Sequence, residues 1–173
     1  MAAASFDYRL RRFPIEKMDR SRACIFIGGS GTGKSHLVTA VLERNKDIPA
    51  GVVMSGTEEG DPYFRKYIPD LFIFNEYNAQ KIEDLMDIQK RAKRAIEHID
   101  REIAYCVSHD RPDDAKRLRA RKAEAEHRMR KFVVIDDCMW RSSITRSETL
   151  RKLFFNGRHW SILTCLTVQY CMG

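Results

Sequence analysis

The segment ACIFIGGSGTGKS, residues 23–35, decides the fold of this chain. Its first five residues form a short apolar run, which is typical of a buried parallel strand. The remaining residues, 28–35, match the pattern G-x-x-x-x-G-K-[ST] in full. Apolar residues then recur at helical spacing as far as Asn45. The segment therefore predicts a strand, a glycine-rich loop and a helix in immediate succession.

Each residue type in the loop has a physical reason to be there. Glycines allow successive backbone N–H groups to turn inward around an anion, and the helix that follows presents its positive end to the same place. Lys34 can reach the β- and γ-phosphates of a nucleotide, and the Ser35 hydroxyl can bind Mg²⁺. The pattern predicts a P-loop that binds ATP or GTP with Mg²⁺. Its binding residues are Gly28, Gly29, Ser30, Gly31, Thr32, Gly33, Lys34 and Ser35.

Apolar runs elsewhere in the chain extend this unit. They predict further strands at 51–55, 70–74, 132–135 and 160–168, with helices at 34–45 and 147–155. Strands that alternate with helices favour an α/β fold with a mainly parallel, doubly wound sheet. We expect a basic, polar lead-in at 1–22 and one P-loop domain at 23–173.

Between 79 and 131 the pattern changes. Apolar residues recur at spacings of three and four, with a polar break at Gln89, and turn residues interrupt the pattern at 108–114. This predicts an antiparallel helical hairpin inserted into the α/β domain. The second helix is rich in basic residues, which form either a solvated face or a contact for nucleic acid or a neighbouring subunit. These residues are Lys116, Arg117, Arg119, Arg121 and Lys122.

Composition narrows the class of protein. The 173 residues include 31 Lys and Arg against 24 Asp and Glu, so the formal charge is +7, which favours a polyanionic partner without identifying it. No run approaches the roughly 20 apolar residues of a membrane span, and the amino terminus does not resemble a secretory signal, so we expect a cytosol-like compartment. The five cysteines are scattered and form no CxxC pair, which argues against a zinc site or a disulfide framework.

Carboxylates and an amide at strand ends are the candidate catalytic groups. Asp136 follows a buried strand and can hold Mg²⁺ through water beside Ser35. Asp137 can orient or deprotonate the attacking water, or can instead cap a helix or loop. Gln169 closes the last strand at the edge where ligands bind, so it can sense the γ-phosphate or simply end the strand.

Arg158 lies in the turn before the last strand. By chain order this turn is at the opposite end of the sheet from the nucleotide of the same subunit. The arginine can therefore act as an arginine finger on a neighbouring subunit, or be an ordinary surface residue. His159 has no partner at metal-ligand spacing, and we expect it to be structural.

Taken together, these segments resemble the genome-packaging ATPases of nucleocytoplasmic large DNA viruses, a branch of the FtsK–HerA superfamily. The resemblance spans most of residues 23–170. The P-loop alone is generic, and the GRH turn followed by a strand ending in glutamine is what specifies the family. The matching segments are GGSGTGKS (28–35), VVMSGTEEGDPYF (52–64), IPDLFIFNEY (68–77), FVVIDD (132–137) and FFNGRHWSILTCLTVQY (154–170).

The resemblance implies a RecA-like ATPase that forms a homo-oligomeric ring and moves double-stranded DNA into a capsid. It implies ATP rather than GTP, with hydrolysis stimulated by DNA, Arg158 as the finger acting in trans, and Gln169 as the sensor. It also implies viral capsid or membrane-associated assembly partners, in the host cytoplasm, the viral factory or the virion. Family members continue past the sensor glutamine with further core strands, so we expect this chain to be shortened and strand 162–168 to lack a neighbour.

Three other classes share the P-loop. A small-molecule kinase would need an arginine-bearing lid and an acceptor pocket, whereas 79–131 has the pattern of a long helical seam. A coiled-coil ATPase of chromosome maintenance would carry a serine- and glycine-rich signature before the aspartate strand, where this chain has EAEHRMRK (124–131). A protein that binds nucleotide without productive turnover is the third alternative.

Overall fold

The computed structural model describes residues 14–139 and 142–169, except for the side chain of residue 142. Five strands and five helices occur in these ranges, with 3-10 turns at Ile15–Lys17, Phe64–Lys66, Asp70–Phe72 and Gly157–Trp160. The strands are β1 (Ala23–Ile27), β2 (Ala50–Ser55), β3 (Ile73–Phe74), β4 (Lys131–Asp136) and β5 (Ile162–Val168). The helices are α1 (Lys34–Arg44), α2 (Ala79–Ser108), α3 (Pro112–Met129), α4 (Ser142–Thr145) and α5 (Glu148–Asn156).

All five strands belong to one parallel sheet, in the order β1-β5-β4-β2-β3. The register pairs Ala23 with Thr164 and Lys131 with Ile162, so the strands begin at a common level. The predicted α/β class with a mainly parallel sheet is therefore confirmed. Because the strands are parallel, their carboxyl ends share one edge, the carboxyl edge, and their starts share the opposite amino edge.

Helices cover both faces of the sheet. One buried cluster joins Val38 and Val41 of α1 to the sheet. On the other face, Ile82 of α2 and Leu153 of α5 pack into a second cluster with Ile135 of β4. The inner strands are buried on both faces, as their continuous apolar sequences require.

The structure corrects the predicted strand at 70–74. Asp70–Phe72 is a 3-10 turn that follows Pro69, and only Ile73 and Phe74 pair with β2. The reason is exposure: Leu71 is 80% exposed, so this apolar run does not enter the core as a strand. The predicted strand at 160–168 likewise begins later, at Ile162, after the 3-10 turn.

Strand β5 has two partners rather than the missing neighbour we expected. It lies between β1 and β4 at the centre of this half of the sheet. On this side of the sheet the edge strand is β1, whose Ile25 and Ile27 are 55% and 67% exposed. The expectation was wrong because the sequence does not reveal which apolar strand lies at the edge. Of the predicted lead-in, residues 1–13 lie outside the described residues, whereas Ile15 and Met18 pack against the cluster beneath α1.

Helices α2 and α3 form the antiparallel hairpin. Residues 109–111 connect them, and Pro112 occupies the first turn of α3, where its missing N–H is tolerated. Near the middle, Lys122 Nζ lies 2.6 Å from Asp100 Oδ1. At the base, the buried Gln89 side chain donates from Nε2 to the Met129 carbonyl and, at 2.7 Å, to the Trp160 carbonyl. The polar break in the seam is thus a buried hydrogen-bonding group.

The hairpin extends away from the amino edge. Gln89 contacts Met129, just before β4, and Trp160, just before β5, so the first ten residues of α2 span the sheet face. The remainder of α2 reaches about 28 Å beyond that point at 1.5 Å per residue. Among the helices of the described ranges, none is both long and apolar enough to cross a membrane.

Candidate active site

The P-loop connects β1 to α1 at the carboxyl edge. Its start is fixed to the sheet, because Gly28 N donates to the Val168 carbonyl at 3.1 Å. Gly31 and Gly33 have φ of +72° and +86°, a left-handed conformation that side chains with a Cβ rarely adopt. A Cβ at either position would meet no atom within 4 Å, so backbone conformation rather than space requires glycine there.

The first turn of α1 is open to an anion. Gly33 is the residue before the helix, and no side chain caps the helix at this end. The first helical amides therefore have no partner within the helix and point toward the loop. Lys34 Nζ and Thr32 Oγ1 both donate to the Gly29 carbonyl, each at 2.8 Å, which places the ammonium group across the loop. This arrangement can hold phosphate oxygens by backbone amides and one cation.

Asp136 ends β4 at the same edge and is 5% exposed. Its carboxylate accepts hydrogen bonds from neighbours on both sides: Thr167 Oγ1 of β5 at 2.7 Å and Ser55 Oγ of β2 at 3.4 Å. Two flanking strands thus hold this carboxylate in one orientation.

Burial raises the pKa of Asp136 above its ordinary value of 3.8, and the negative charge of Asp137 adds to this effect. The hydrogen bonds from Thr167 and Ser55 and the positive charge of Lys34 act in the opposite direction. That influence of Lys34 also places its ammonium group within electrostatic range of the carboxylate. A buried carboxylate whose ionised form is disfavoured gains from a nearby cation.

Mg²⁺ fits this donor set. Magnesium is bound in phosphate sites by one or two protein oxygens, with phosphate and water completing the shell. Asp136 supplies the carboxylate, and Ser35 supplies a hydroxyl at the start of α1. Among the described residues, no group of three or more His, Cys, Asp or Glu side chains is placed to hold a metal ion.

Thr167 connects the two aspartates. Its hydroxyl donates to Asp136 Oδ1 and accepts the Asp137 backbone N–H at 3.0 Å. Asp137 itself has φ of +54°, an uncommon conformation for a residue with a side chain, although aspartate tolerates it better than most. The threonine thus stabilises a turn that directs Asp137 away from the strand.

Gln169 meets Asp137 at the carboxyl edge. The Gln169 side-chain Nε2 donates to Asp137 Oδ2. With the Thr167 hydrogen bonds, this brings Asp136, Asp137 and Gln169 together at the ends of two neighbouring strands. Gly56 contributes space: a Cβ there would lie 2.9 Å from the Asp137 carbonyl oxygen. Because Gly56 has no side chain, the end of β2 and the Asp137 turn can lie this close to each other.

Arg158 lies elsewhere, at the amino edge. It belongs to the 3-10 turn before β5 and shares a cleft of about 150 Å³ with Asp19 and Arg22. The seven residues of β5 separate it from the P-loop edge by about 23 Å at 3.3 Å per residue. Its Nε donates to His159 Nε2 at 3.4 Å. The structure therefore separates Arg158 from the candidate active site of its own chain.

Cys138 is poorly suited to act as a nucleophile at neutral pH. Cys138 follows the aspartate pair, and burial raises the pKa of its thiol to about 12, so the thiol is protonated at neutral pH. Cys24, Cys106, Cys138 and Cys165 are all free thiols, and Cys171 lies outside the described residues.

Two contributing residues were absent from the sequence-based site. Thr167 and Ser55 donate the hydrogen bonds that hold Asp136. A signal for Thr167 was present, because it shares a strand face with Gln169 by the two-residue period. Ser55 offered only its position as the polar last residue of an apolar strand.

Comparison with known proteins finds relatives in large DNA viruses. An uncharacterized protein of frog virus 3 is 33% identical over 149 residues, which cover 86% of this chain and 38% of the relative. An uncharacterized protein of invertebrate iridescent virus 6 is also 33% identical, over 147 residues, covering 84% and 46%. One of invertebrate iridescent virus 3 is 29% identical over 147 residues, covering 84% and 45%.

The chain therefore spans less than half of the length of each of these relatives. No protein-family model matches the chain. No solved structure matches it either. The comparisons group the chain with viral proteins but name no activity.

Proposed function

We propose that this chain is the RecA-like core of a viral DNA-packaging motor that hydrolyses ATP. One observation carries the proposal: the network of Asp136, Thr167, Asp137 and Gln169 lies at the same sheet edge as the P-loop. A phosphate-binding loop alone would serve many activities. A loop beside a buried carboxylate and an exposed carboxylate–amide pair has the groups that hydrolysis of a γ-phosphate needs.

Each residue of the network has a role in this proposal. The loop amides and Lys34 hold the β- and γ-phosphates and neutralise their charge. Mg²⁺, when bound with the nucleotide, supplies further neutralisation and orients the phosphate oxygens. Asp137 accepts a proton from the attacking water, and Gln169 positions that water or senses the γ-phosphate from the adjacent strand end. The Asp137–Gln169 contact holds the two groups ready in one place.

Arg158 completes the site from a second subunit. It lies at the amino edge, where it cannot reach the nucleotide of its own chain. In a homo-oligomeric ring, the amino edge of one subunit faces the carboxyl edge of the next, and the guanidinium then stabilises charge that develops on the γ-phosphate. Arginine fingers supplied in trans accelerate hydrolysis about 10³–10⁵-fold.

The packaging role rests on the viral relatives, the +7 charge and the segments that resemble the FtsK–HerA packaging ATPases. We propose double-stranded DNA as the translocated polymer, with stimulation of hydrolysis by DNA. Capsid or membrane-associated assembly proteins would be further partners, in the host cytoplasm, the viral factory or the virion.

Nucleotide binding without productive turnover is the second candidate. The observation that favours it is the same contact, because Gln169 donates to the carboxylate oxygen that the attacking water would need. The kinase alternative gains no comparable support, since the hairpin extends from the amino edge and does not cover the P-loop.

Steady-state ATP hydrolysis with and without duplex DNA tests the proposal. The matched variant is Lys34→Ala, with Lys46→Ala, a surface lysine just after α1, as the control. We expect hydrolysis that duplex DNA increases, that Lys34→Ala lowers at least ~100-fold and that Lys46→Ala leaves unchanged. Tight ATP binding without hydrolysis, both with and without duplex DNA, would contradict the motor and favour the alternative of binding without turnover. Phosphate transfer to a small molecule would favour the kinase.

A further inference from the structure

The outer part of the hairpin contains a groove between its two helices. The groove has a volume of about 630 Å³ and is lined by residues of α2 and α3 in the half of the hairpin nearer the connecting loop. Its walls carry three arginines, Arg101 from α2 and Arg117 and Arg121 from α3. All three side chains are exposed. Guanidinium groups from two different helices thus face one concave surface.

Ion pairs divide the basic residues of α3 into two sets. Lys122 is engaged, because its ammonium group pairs with Asp100 of α2 and with Glu126. It therefore holds the hairpin together. Within the described part of the chain, no ion pair involves the other four basic residues that the sequence singled out, Lys116, Arg117, Arg119 and Arg121. These four charges remain available for a partner.

The groove is basic but also carries acidic and aromatic groups. Glu102 and Asp114 line it, and Glu102 Oε1 lies 3.5 Å from His98 Nδ1. Tyr105 is 54% exposed and stacks on His109 with ring centroids 4.0 Å apart. Three guanidinium groups outnumber the two carboxylates that line the groove. The surface therefore favours an extended anion over a small neutral ligand.

We propose that this groove binds the phosphate backbone of double-stranded DNA, with Arg117 and Arg121 as the principal contacts. The two residues are four positions apart, so they lie on the same helix face about 6 Å along the axis. That separation is similar to the distance between successive phosphates of one strand. Arginine suits such contacts because its fork of donors can bind phosphate oxygens in pairs. The proposal rests on the proposed motor function for its choice of partner.

The arrangement also gives the hairpin a role. Its base is hydrogen-bonded to the turn that carries Arg158, through Gln89 and the Trp160 carbonyl, and Lys90 Nζ lies 5.3 Å from the centroid of the Trp160 ring. DNA held in the groove would thus contact the helix whose base is hydrogen-bonded to the turn that carries Arg158. The groove is a DNA contact that lies outside the nucleotide site.

Equilibrium binding of a fluorescein-labelled 20-base-pair duplex, followed by anisotropy at several salt concentrations, tests this inference. The test variant is the double substitution Arg117→Ala and Arg121→Ala. The control is Lys116→Ala with Arg119→Ala, which removes the same charge from the same helix outside the groove. We expect the test variant to bind at least ~10-fold more weakly and to reduce the salt slope by about 1.8, since each phosphate contact contributes about 0.9.

The outcomes separate this inference from the proposed function. Equal losses in both double variants would overturn the groove as the site and leave only general charge attraction. Wild-type hydrolysis that DNA stimulates, with normal duplex binding by the test variant, would overturn the inference and keep the motor. Duplex binding that depends on Arg117 and Arg121, in a chain that hydrolyses no ATP, would keep the inference and overturn the motor. A wild-type chain that binds an acidic protein or its own copy through these arginines, and no duplex, would overturn the inference.

Discussion

The two edges of the sheet differ in how complete their chemistry is. At the carboxyl edge, the polar groups satisfy one another: Thr167 joins Asp136 to Asp137, and Gln169 donates to Asp137. At the amino edge, Arg158 is exposed, and its guanidinium group hydrogen-bonds only to the neighbouring His159 among the described residues. The carboxyl edge thus joins its candidate residues in one hydrogen-bond network, whereas at the amino edge the described residues form no ion pair with Arg158.

Under the proposed function, this difference lets one parallel sheet contribute to the sites of two subunits. Parallel strands place all of their carboxyl ends on one side, so a nucleotide site forms there and the strand starts remain free for other contacts. The hairpin base and the Arg158 turn share the amino edge through Gln89. We infer that one edge binds the nucleotide and that the other acts on the site of a neighbour.

Replacing Arg158 tests the difference between the two edges, and we expect it to have the largest effect on turnover. Arg158→Ala removes the charge that the next subunit needs in the transition state, so we expect turnover to fall about 10³-fold. The affinity for ATP, measured by calorimetry, should change less than about 2-fold, because the P-loop is at the other edge. Arg151→Ala, on the exposed face of α5, is the control and should leave turnover unchanged. A normal rate of ATP hydrolysis in Arg158→Ala would show that the amino edge takes no part in catalysis.

Two threonines of β5 offer a matched test of the carboxyl edge. Thr167 makes two hydrogen bonds, whereas the hydroxyl of Thr164, equally buried, has no partner among the described residues. We expect Thr167→Val to lower the free energy of unfolding by about 2–4 kcal/mol and turnover by at least ~10-fold. Thr164→Val should leave stability unchanged or raise it by about 1 kcal/mol.

Urea unfolding of both threonine variants, with ATP hydrolysis alongside, provides the measurements. Similar losses in the two variants would mean that valine is poorly accommodated anywhere in β5. The hydrogen-bond network would then not account for the order at the carboxyl edge.

Gln89 tests the link between the hairpin and the amino edge. Gln89→Leu leaves the Met129 and Trp160 carbonyls without their donor, so we expect a loss of about 1–3 kcal/mol in the free energy of unfolding. The control is Gln80→Leu, whose exposed amide bonds only to Asp84 and whose loss should stay within about 0.5 kcal/mol. A Gln89→Leu variant as stable as wild type would show that apolar packing alone holds the hairpin base.

The pH dependence of stability tests the carboxyl edge through Asp136, and we expect a smaller effect than for the variants above. The pKa of Asp136 is raised in the folded chain, so folding favours the protonated carboxyl. The contribution of this carboxyl to the free energy of unfolding is therefore fully present below the ordinary pKa of 3.8. That contribution is lost as pH rises through the pKa of the folded state. Without nucleotide, Asp136→Asn should therefore be more stable than wild type at neutral pH, with a difference that shrinks on acidification.

Urea unfolding between pH 4 and pH 8 measures this difference, and Asp113→Asn, on an exposed part of α3, is the control. We expect Asp136→Asn to lose hydrolysis even as it gains stability. A variant that is less stable than wild type at neutral pH would mean that the carboxylate is stabilised by its neighbours rather than strained by burial.

The main features of the fold could be predicted from the sequence, because its signals are local. The P-loop follows an apolar run, and β4 ends in the aspartate pair, so the strands and the edge that binds ligand follow from composition and chain order. The position of Arg158 at the far edge followed in the same way. The strand predicted at 70–74 was wrong because its residues are apolar but exposed, and their exposure depends on which other segments pack against them.

The parts of the site that were missed depend on contacts between distant segments. Thr167 bonds to residues 30 and 31 positions away, and Ser55 to one 81 positions away, because β4 lies between their strands. Gln89 was visible as a break in the hairpin seam, but its two acceptors lie 40 and 71 positions further along the chain. A polar residue in an apolar pattern signals a partner without identifying it.

The most direct test of the account mixes two inactive variants. Lys34→Ala lacks a working P-loop and retains Arg158, while Arg158→Ala retains the P-loop and lacks the finger. If each site joins the two edges of neighbouring subunits, random mixed rings from equal amounts should regain about a quarter of wild-type ATP hydrolysis. A mixture that forms mixed rings and stays inactive, or an Arg158→Ala variant that is fully active alone, would contradict the division of labour between the two edges.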